Sequence, residues 1–207
     1  MASQRLIRWS GLATMLGGLL FMVLGRLAGM AESTKVLGLT ESAYGRMNTA
    51  SLLLLTAGLA GLYARQAVRS GRLGVAGFVL AFIGLALMVL GNVIESWISD
   101  LIFADVPPGE FKPGAHAGWG IFLLGLCVLA VGLMLVGIAT IQAKAWSRVL
   151  PLVTGLLLAS GFLVALSIGE WGLWVIVLSL GPWMLLGYVL WSDQAEAPVQ
   201  SGVRPPV

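Results

Sequence analysis

Cysteine and histidine are almost missing from this sequence, which has one of each, Cys127 and His116. One cysteine excludes an intramolecular disulfide, a CxxC redox pair and a cysteine zinc cluster, and one histidine excludes bis-histidine haem ligation within a single chain. Charge is scarce as well: 10% of the 207 residues are charged and 58% are apolar. A soluble domain carries roughly a quarter charged residues and cannot leave such an apolar surface in water, so lipid is the solvent. The Lys and Arg residues raise the pI to about 9.4, but they are scattered singly between apolar runs and form no patch for nucleic acid. GxxxxGK(S/T), GxSxG and Gly-rich dinucleotide fingerprints are missing, which removes the usual signals for nucleotide-driven transport and hydrolase chemistry. Mid-membrane charges are nearly lacking, which argues against a proton pump or a voltage sensor. Pro182 alone does not supply the paired interruptions of a transporter with discontinuous helices. Asp105, Glu110 and His116 lack an HxxxH or HExxH spacing and have Pro107, Pro108 and Gly109 among them, so no metal site and no cofactor is assigned.

What the chain does have is long apolar runs. A bilayer core takes about twenty apolar residues per helix, and the runs are Trp9 to Leu27, Asn48 to Ala64, Leu73 to Trp97, Gly118 to Ile141, Val149 to Ile168 and Trp171 to Trp191. They lack the polar alternation of barrel strands, which predicts an all-α integral membrane protein with a bundle of six transmembrane helices. The second run is short and polar at its outer end, with Asn48, Thr49 and Ser51, so it needs neighbours for stability. Placing the N-terminus in the cytoplasm puts Arg5, Arg8, Arg65, Arg69, Arg72, Lys144, Arg148 and Arg204 inside and leaves Arg26, Lys35, Arg46 and Lys112 outside. The positive-inside rule favours that orientation, with both termini cytoplasmic. The tryptophans agree, Trp9, Trp146 and Trp191 at the inner interface and Trp97, Trp119 and Trp171 at the outer, with Trp183 alone near mid-membrane after Gly181 and Pro182. Reading the first run as a cleaved signal peptide is disfavoured by its length and by Arg26 at its exit. Residues 194–207, with Pro198, Pro205 and Pro206, read as a disordered cytoplasmic tail.

Small residues recur at helical spacing. Gly11, Met15, Gly18, Met22, Gly25 and Gly29 share one face of the first helix, and Gly77, Ala81, Gly84, Met88, Gly91 and Glu95 share one face of the third. The fourth has Gly118, Gly125, Gly132 and Ala139 seven apart. In lipid such smooth seams let helices approach closely, so these faces are expected to pack inward. Residues 18–25 also match residues 84–91, and residues 61–67 echo 137–143. These matches suggest three helical hairpins of similar design as parallel pseudo-repeats, with chance matching of Gly/Leu-rich helices as the other reading.

The seam of the third helix runs into Glu95, with Asn92 one turn before, Ser99 one turn after and then Asp100. Glu170 lies in the very short fifth connection and His116 just before the fourth helix, all at the outer end. Ionisable residues at membrane depth are costly and default to functional hypotheses; the competing reading is that Glu95 and Glu170 mark where helices leave the lipid, and that His116 is a solvated loop residue. Arg26 has Glu95 or Glu32 as candidate partners, and snorkelling to headgroups is the simpler expectation.

In hydropathy and length the chain resembles small bacterial six-helix membrane proteins, without a motif that ties it to one family. The leading expectation is a bacterial plasma-membrane protein that binds a small amphipathic ligand or lipid in an outward-facing polar pocket formed by Asn92, Glu95, Glu170 and His116. A second is a membrane enzyme with Glu95 or Asp100 as catalytic general acid on an apolar substrate, as in intramembrane terpene cyclases. A third is an accessory or structural subunit whose glycine faces serve a partner helix or a second copy of the chain.

Overall fold

The computed structural model describes residues 2–31, 35–66, 71–103, 105–106, 113–142, 183–188 and 190–191. Four long helices occupy most of them: α1 (Ala2–Met30), α2 (Glu41–Gln66), α3 (Gly71–Ile102) and α4 (Pro113–Gln142). All four are long and apolar enough to cross a membrane. Residues 183–188 are also helical. The expected fifth helix, Glu170, most of the sixth helix and the tail lie outside the described residues.

Each helix is longer than its apolar run, because polar terminal turns carry no hydropathy signal. The clearest case is α2, which starts seven residues before Asn48. Thr40 precedes it, its Oγ1 accepting from the Ala43 amide at 3.4 Å, and Glu41 in the first turn suits the positive end of the helix dipole. Similarly α4 begins at Pro113, where a missing amide hydrogen costs nothing. Between α1 and α2 the chain reverses tightly. Val36 and Leu39 exchange two backbone hydrogen bonds around Leu37 and Gly38, both with positive φ, as a type I′ turn requires. The buried Tyr44 anchors that turn by donating its hydroxyl to the Val36 carbonyl at 2.7 Å and packing with Leu24 and Ala31.

The tightest packing is between α3 and α4, which run antiparallel with Gly77 against Gly132, Gly84 against Gly125 and Gly91 against Gly118. Seven residues are nearly two turns, so each set of glycines falls on one line. A Cβ on Gly91 would lie 2.5 Å from the Gly118 carbonyl oxygen, and one on Gly125 2.6 Å from that of Gly84. The backbones therefore touch, and no larger residue fits without moving them apart.

Small residues also join α1 to α2, with Ser10 against Gly61, Thr14 against Gly58 and Gly17 against Ser51 and Leu55. Ser10 and Thr14 donate their hydroxyls to the Ile7 and Ser10 carbonyls of their own helix, so the contact contains no orphan polar group. The expected glycine face of α1 has a different partner: Gly11 meets Gly187 and Trp191, and Gly18 meets the buried Trp183. Farther along, Gly25 and Gly29 have nothing within 4 Å among the described residues. The equivalents of Gly11, Gly18 and Gly25 in α3, which are Gly77, Gly84 and Gly91, all meet α4. The matched segments thus do not occupy equivalent environments, unlike the arrangement a simple hairpin repeat implies.

The polar-ended α2, which at 26 residues is longer than its apolar run, packs its leucines against its neighbours. Leu52, Leu55, Leu59 and Leu62 are buried in the core shared with Phe78, Leu85 and Met88 of α3. Outside that core, Leu19, Val23, Leu53, Val79, Ile83, Leu124 and Val131 are exposed. An apolar surface on this scale is a liability in water and natural in lipid, so the protein is membrane-embedded.

Replacing Gly84 by alanine should lower the stability of the detergent-solubilised protein by about 1–3 kcal/mol, the usual cost of overpacking. Gly25→Ala, which meets open space, should be neutral or gain up to about 1 kcal/mol of helix propensity. Thermal unfolding of the two variants against wild type checks the contrast.

Candidate functional site

The outer end of α3 departs from regular helix where the candidate residues lie. Residues Ile94–Ile98 form a π turn, in which the Ser99 amide donates to the Ile94 carbonyl, five residues back. Such widened turns recur at functional sites because they re-aim side chains by inserting a residue into the ladder. Here the turn lies between the last glycine contact, Gly91 with Gly118, and the end of the helix.

Asn92 is buried and fully engaged. Its Nδ2 donates to the Gly45 carbonyl and to Thr49 Oγ1, both at 2.8 Å, and so joins α3 to α2. Just beyond it, Gly45 leaves room for the buried Ser96. Asn92 is therefore a structural clamp at the base of the cluster.

Glu95 is half-buried against α4, where a Cβ on Gly118 would meet its backbone nitrogen at 2.6 Å and its Cβ at 2.9 Å. Among the described residues no hydrogen bond or ion pair reaches its carboxylate, and the nearby charge that acts on it is another carboxylate, Glu41 of α2. One turn on, Ser99 is buried beside Gly114, and among the described residues its hydroxyl has no hydrogen-bond partner. Ser10 and Thr14 fold their hydroxyls back onto carbonyls of their own helix, which Ser99, following the π turn, does not do. The half-buried Glu95 and the buried Ser99 thus lie one turn apart along the glycine-lined start of α4.

Asp100 is held differently. Arg46 of α2 reaches its Oδ2 at 3.3 Å and lies over the Trp97 ring, 6.0 Å from the centroid. This pair was not among the sequence expectations, because 54 residues separate its members and nothing local connects them. Arg26, considered above as a partner for Glu95, is exposed on α1 and makes no ion pair with it. His116 is exposed. It lies midway between Gly114 and Gly118, the residues that meet Ser99 and Glu95, and helical geometry turns it to the opposite face of α4. Asn92, Glu95, Ser99 and Asp100 thus share the last turns of α3, Asn92 and Asp100 bonded to α2 and Glu95 and Ser99 set against α4, while His116 lies on the face of α4 opposite Gly114 and Gly118. Among the described residues no three His, Cys, Asp or Glu side chains are placed to hold a metal ion.

Two substitutions should shift stability in opposite directions. Asn92→Ala should cost about 1 kcal/mol by removing a buried interhelical clamp, whereas Ser99→Ala should gain about 1 kcal/mol by deleting an orphan hydroxyl. The partly exposed Arg46–Asp100 pair should show a coupling below about 1 kcal/mol in a double-mutant cycle. Thermal melts of purified variants measure all three. No protein-family model matches the chain, and no curated protein or solved structure does either, so its chemistry has to be read from these residues.

Proposed function

We propose that the protein is a multi-pass protein of the bacterial plasma membrane that binds a small amphipathic ligand or lipid at the outward end of α3. In this reading both termini are cytoplasmic, which keeps most of the Lys and Arg on the inner side. The observation that carries it is the half-buried Glu95 carboxylate, which has no hydrogen bond or ion pair among the described residues and has Glu41 nearby. Holding a carboxylate at membrane depth beside a second one is costly without a counter-charge or donor. A ligand head bearing an ammonium or hydroxyl donor supplies both, while its apolar part stays in lipid. The buried Ser99 hydroxyl one turn away offers a further hydrogen bond at the same face. Glu170 belongs to the proposal through its place in the sequence, and Asn92 supports it by fixing α2 against α3. His116 enters only as a rim residue at the same end.

Native mass spectrometry of gently extracted protein tests the reading. Wild type should carry a defined small-molecule adduct, and Glu95→Gln should bind it at least about tenfold more weakly, the worth of one charge-assisted hydrogen bond. An adduct of equal strength in both proteins would remove Glu95 from the site. Turnover of the bound molecule with an acid-limb pH dependence would instead identify a general acid.

A further inference from the structure

The opposite end of the bundle carries a cavity of about 470 Å³ lined by Arg5, Arg8, Trp9, Leu12 and Trp191. Its position follows from the glycine contact beneath it. A Cβ on Gly11 would lie 2.8 Å from the Gly187 carbonyl oxygen, and one on Gly187 2.7 Å from that of Gly11, so the two backbones touch there. The contact extends to the Trp191 backbone nitrogen, 2.7 Å from a Cβ on Gly11, and the large side chains of Arg8 and Trp191 line the space beside it.

The lining has the chemistry of a lipid. Both arginines are exposed, and among the described residues no acidic side chain lines the cavity. Trp9, 69% exposed, and Trp191 offer the amphipathic rings that sit at the headgroup level of a bilayer. Steps of three and four residues place Arg5, Arg8, Leu12, Leu16, Leu19 and Val23 on one face of α1. That face reads as a cationic head followed by the half-buried Leu12 and the exposed Leu16, Leu19 and Val23, an aliphatic track of about 16 Å, close to the depth of one leaflet. Guanidinium groups match phosphate oxygens in fork geometry, and anionic phosphate in a headgroup is the charge this end of the bundle calls for.

We infer that this cavity binds one anionic phospholipid, its phosphate held by Arg5 and Arg8 between the two indoles and an acyl chain lying along the aliphatic face of α1. The site is distinct from the one at Glu95, at the other end of the helices, and does not depend on it.

Native mass spectrometry of the full chain in micelles, with added phosphatidylglycerol or phosphatidylcholine, provides the test. Wild type should retain one phosphatidylglycerol in preference to phosphatidylcholine. Arg5→Gln with Arg8→Gln should weaken it about thirtyfold, taking about fivefold for each basic residue at an anionic surface. Arg72→Gln, an exposed arginine at the same end, should leave it unchanged. Equal loss in Arg72→Gln would show a diffuse charge effect and overturn the site. Displacement of the lipid by millimolar inorganic phosphate, with no dependence on the acyl chain, would assign the cavity to a free phosphate instead. A lipid adduct seen only after Asp193→Asn and Glu196→Gln would make the chain's own C-terminal carboxylates the occupant and likewise overturn the proposal.

Discussion

Backbone contact between α3 and α4 is the constraint on which the rest of the bundle rests. Lipid tails are as apolar as leucine, so helices in a bilayer gain little by hiding apolar side chains from their solvent. They gain from dispersion, which grows with close approach, and three glycine pairs spaced at sevens let the two backbones meet along their length. The same contact fixes Glu95 and Ser99, because Gly118 and Gly114 continue the seam to its outer end and leave no side chain between those residues and the α4 backbone.

Polar groups follow a second rule. Hydroxyls inside the membrane region mostly satisfy themselves, as Ser10, Thr14, Thr56 and Thr140 do on carbonyls of their own helices. Such bonds let a polar residue serve as a small one at a helix contact. Asn92 is the contrast, since its amide spends both donor hydrogens on another helix and ties α2 to α3. The π turn interrupts this economy. It precedes Ser99, whose hydroxyl has no hydrogen-bond partner among the described residues, and the ion pair of Arg46 with Asp100, so the last turns of α3 carry polar groups that their own helix does not satisfy.

Charge is divided between the ends of the helices in a way that gives each end its own chemistry. The start of α2 and the end of α3 carry Glu41, Glu95 and Asp100, with Arg46 engaging one of them. The start of α1 presents Arg5 and Arg8 beside two tryptophans. The two proposed sites, an acidic one for donor-bearing heads and a basic one for phosphate, would thus be complementary outcomes of one bundle, with the exposed apolar surface of α1 beside the second.

The sequence by itself determined the four long apolar helices and the faces on which their small residues lie, because periodicity is a property of the covalent chain: a residue every seventh position must share a line once the helix forms. The Gly77, Gly84 and Gly91 seam, the Gly118, Gly125 and Gly132 seam and the inward setting of Glu95 were legible for that reason. Partner choice was not, since a smooth face fits any other smooth face. Only tertiary structure assigned α4 to the glycines of α3, the C-terminal stretch to Gly11 and Gly18, and Ser10 and Thr14 to α2. It also decided which polar groups were satisfied. Asn92 proved to be a clamp, Arg46 took Asp100 across 54 residues, and His116 turned away from the glycine face of its helix. Each of these depends on the rotation of one helix against another, which is set by the sum of weak contacts over the whole bundle and has no local trace in the chain.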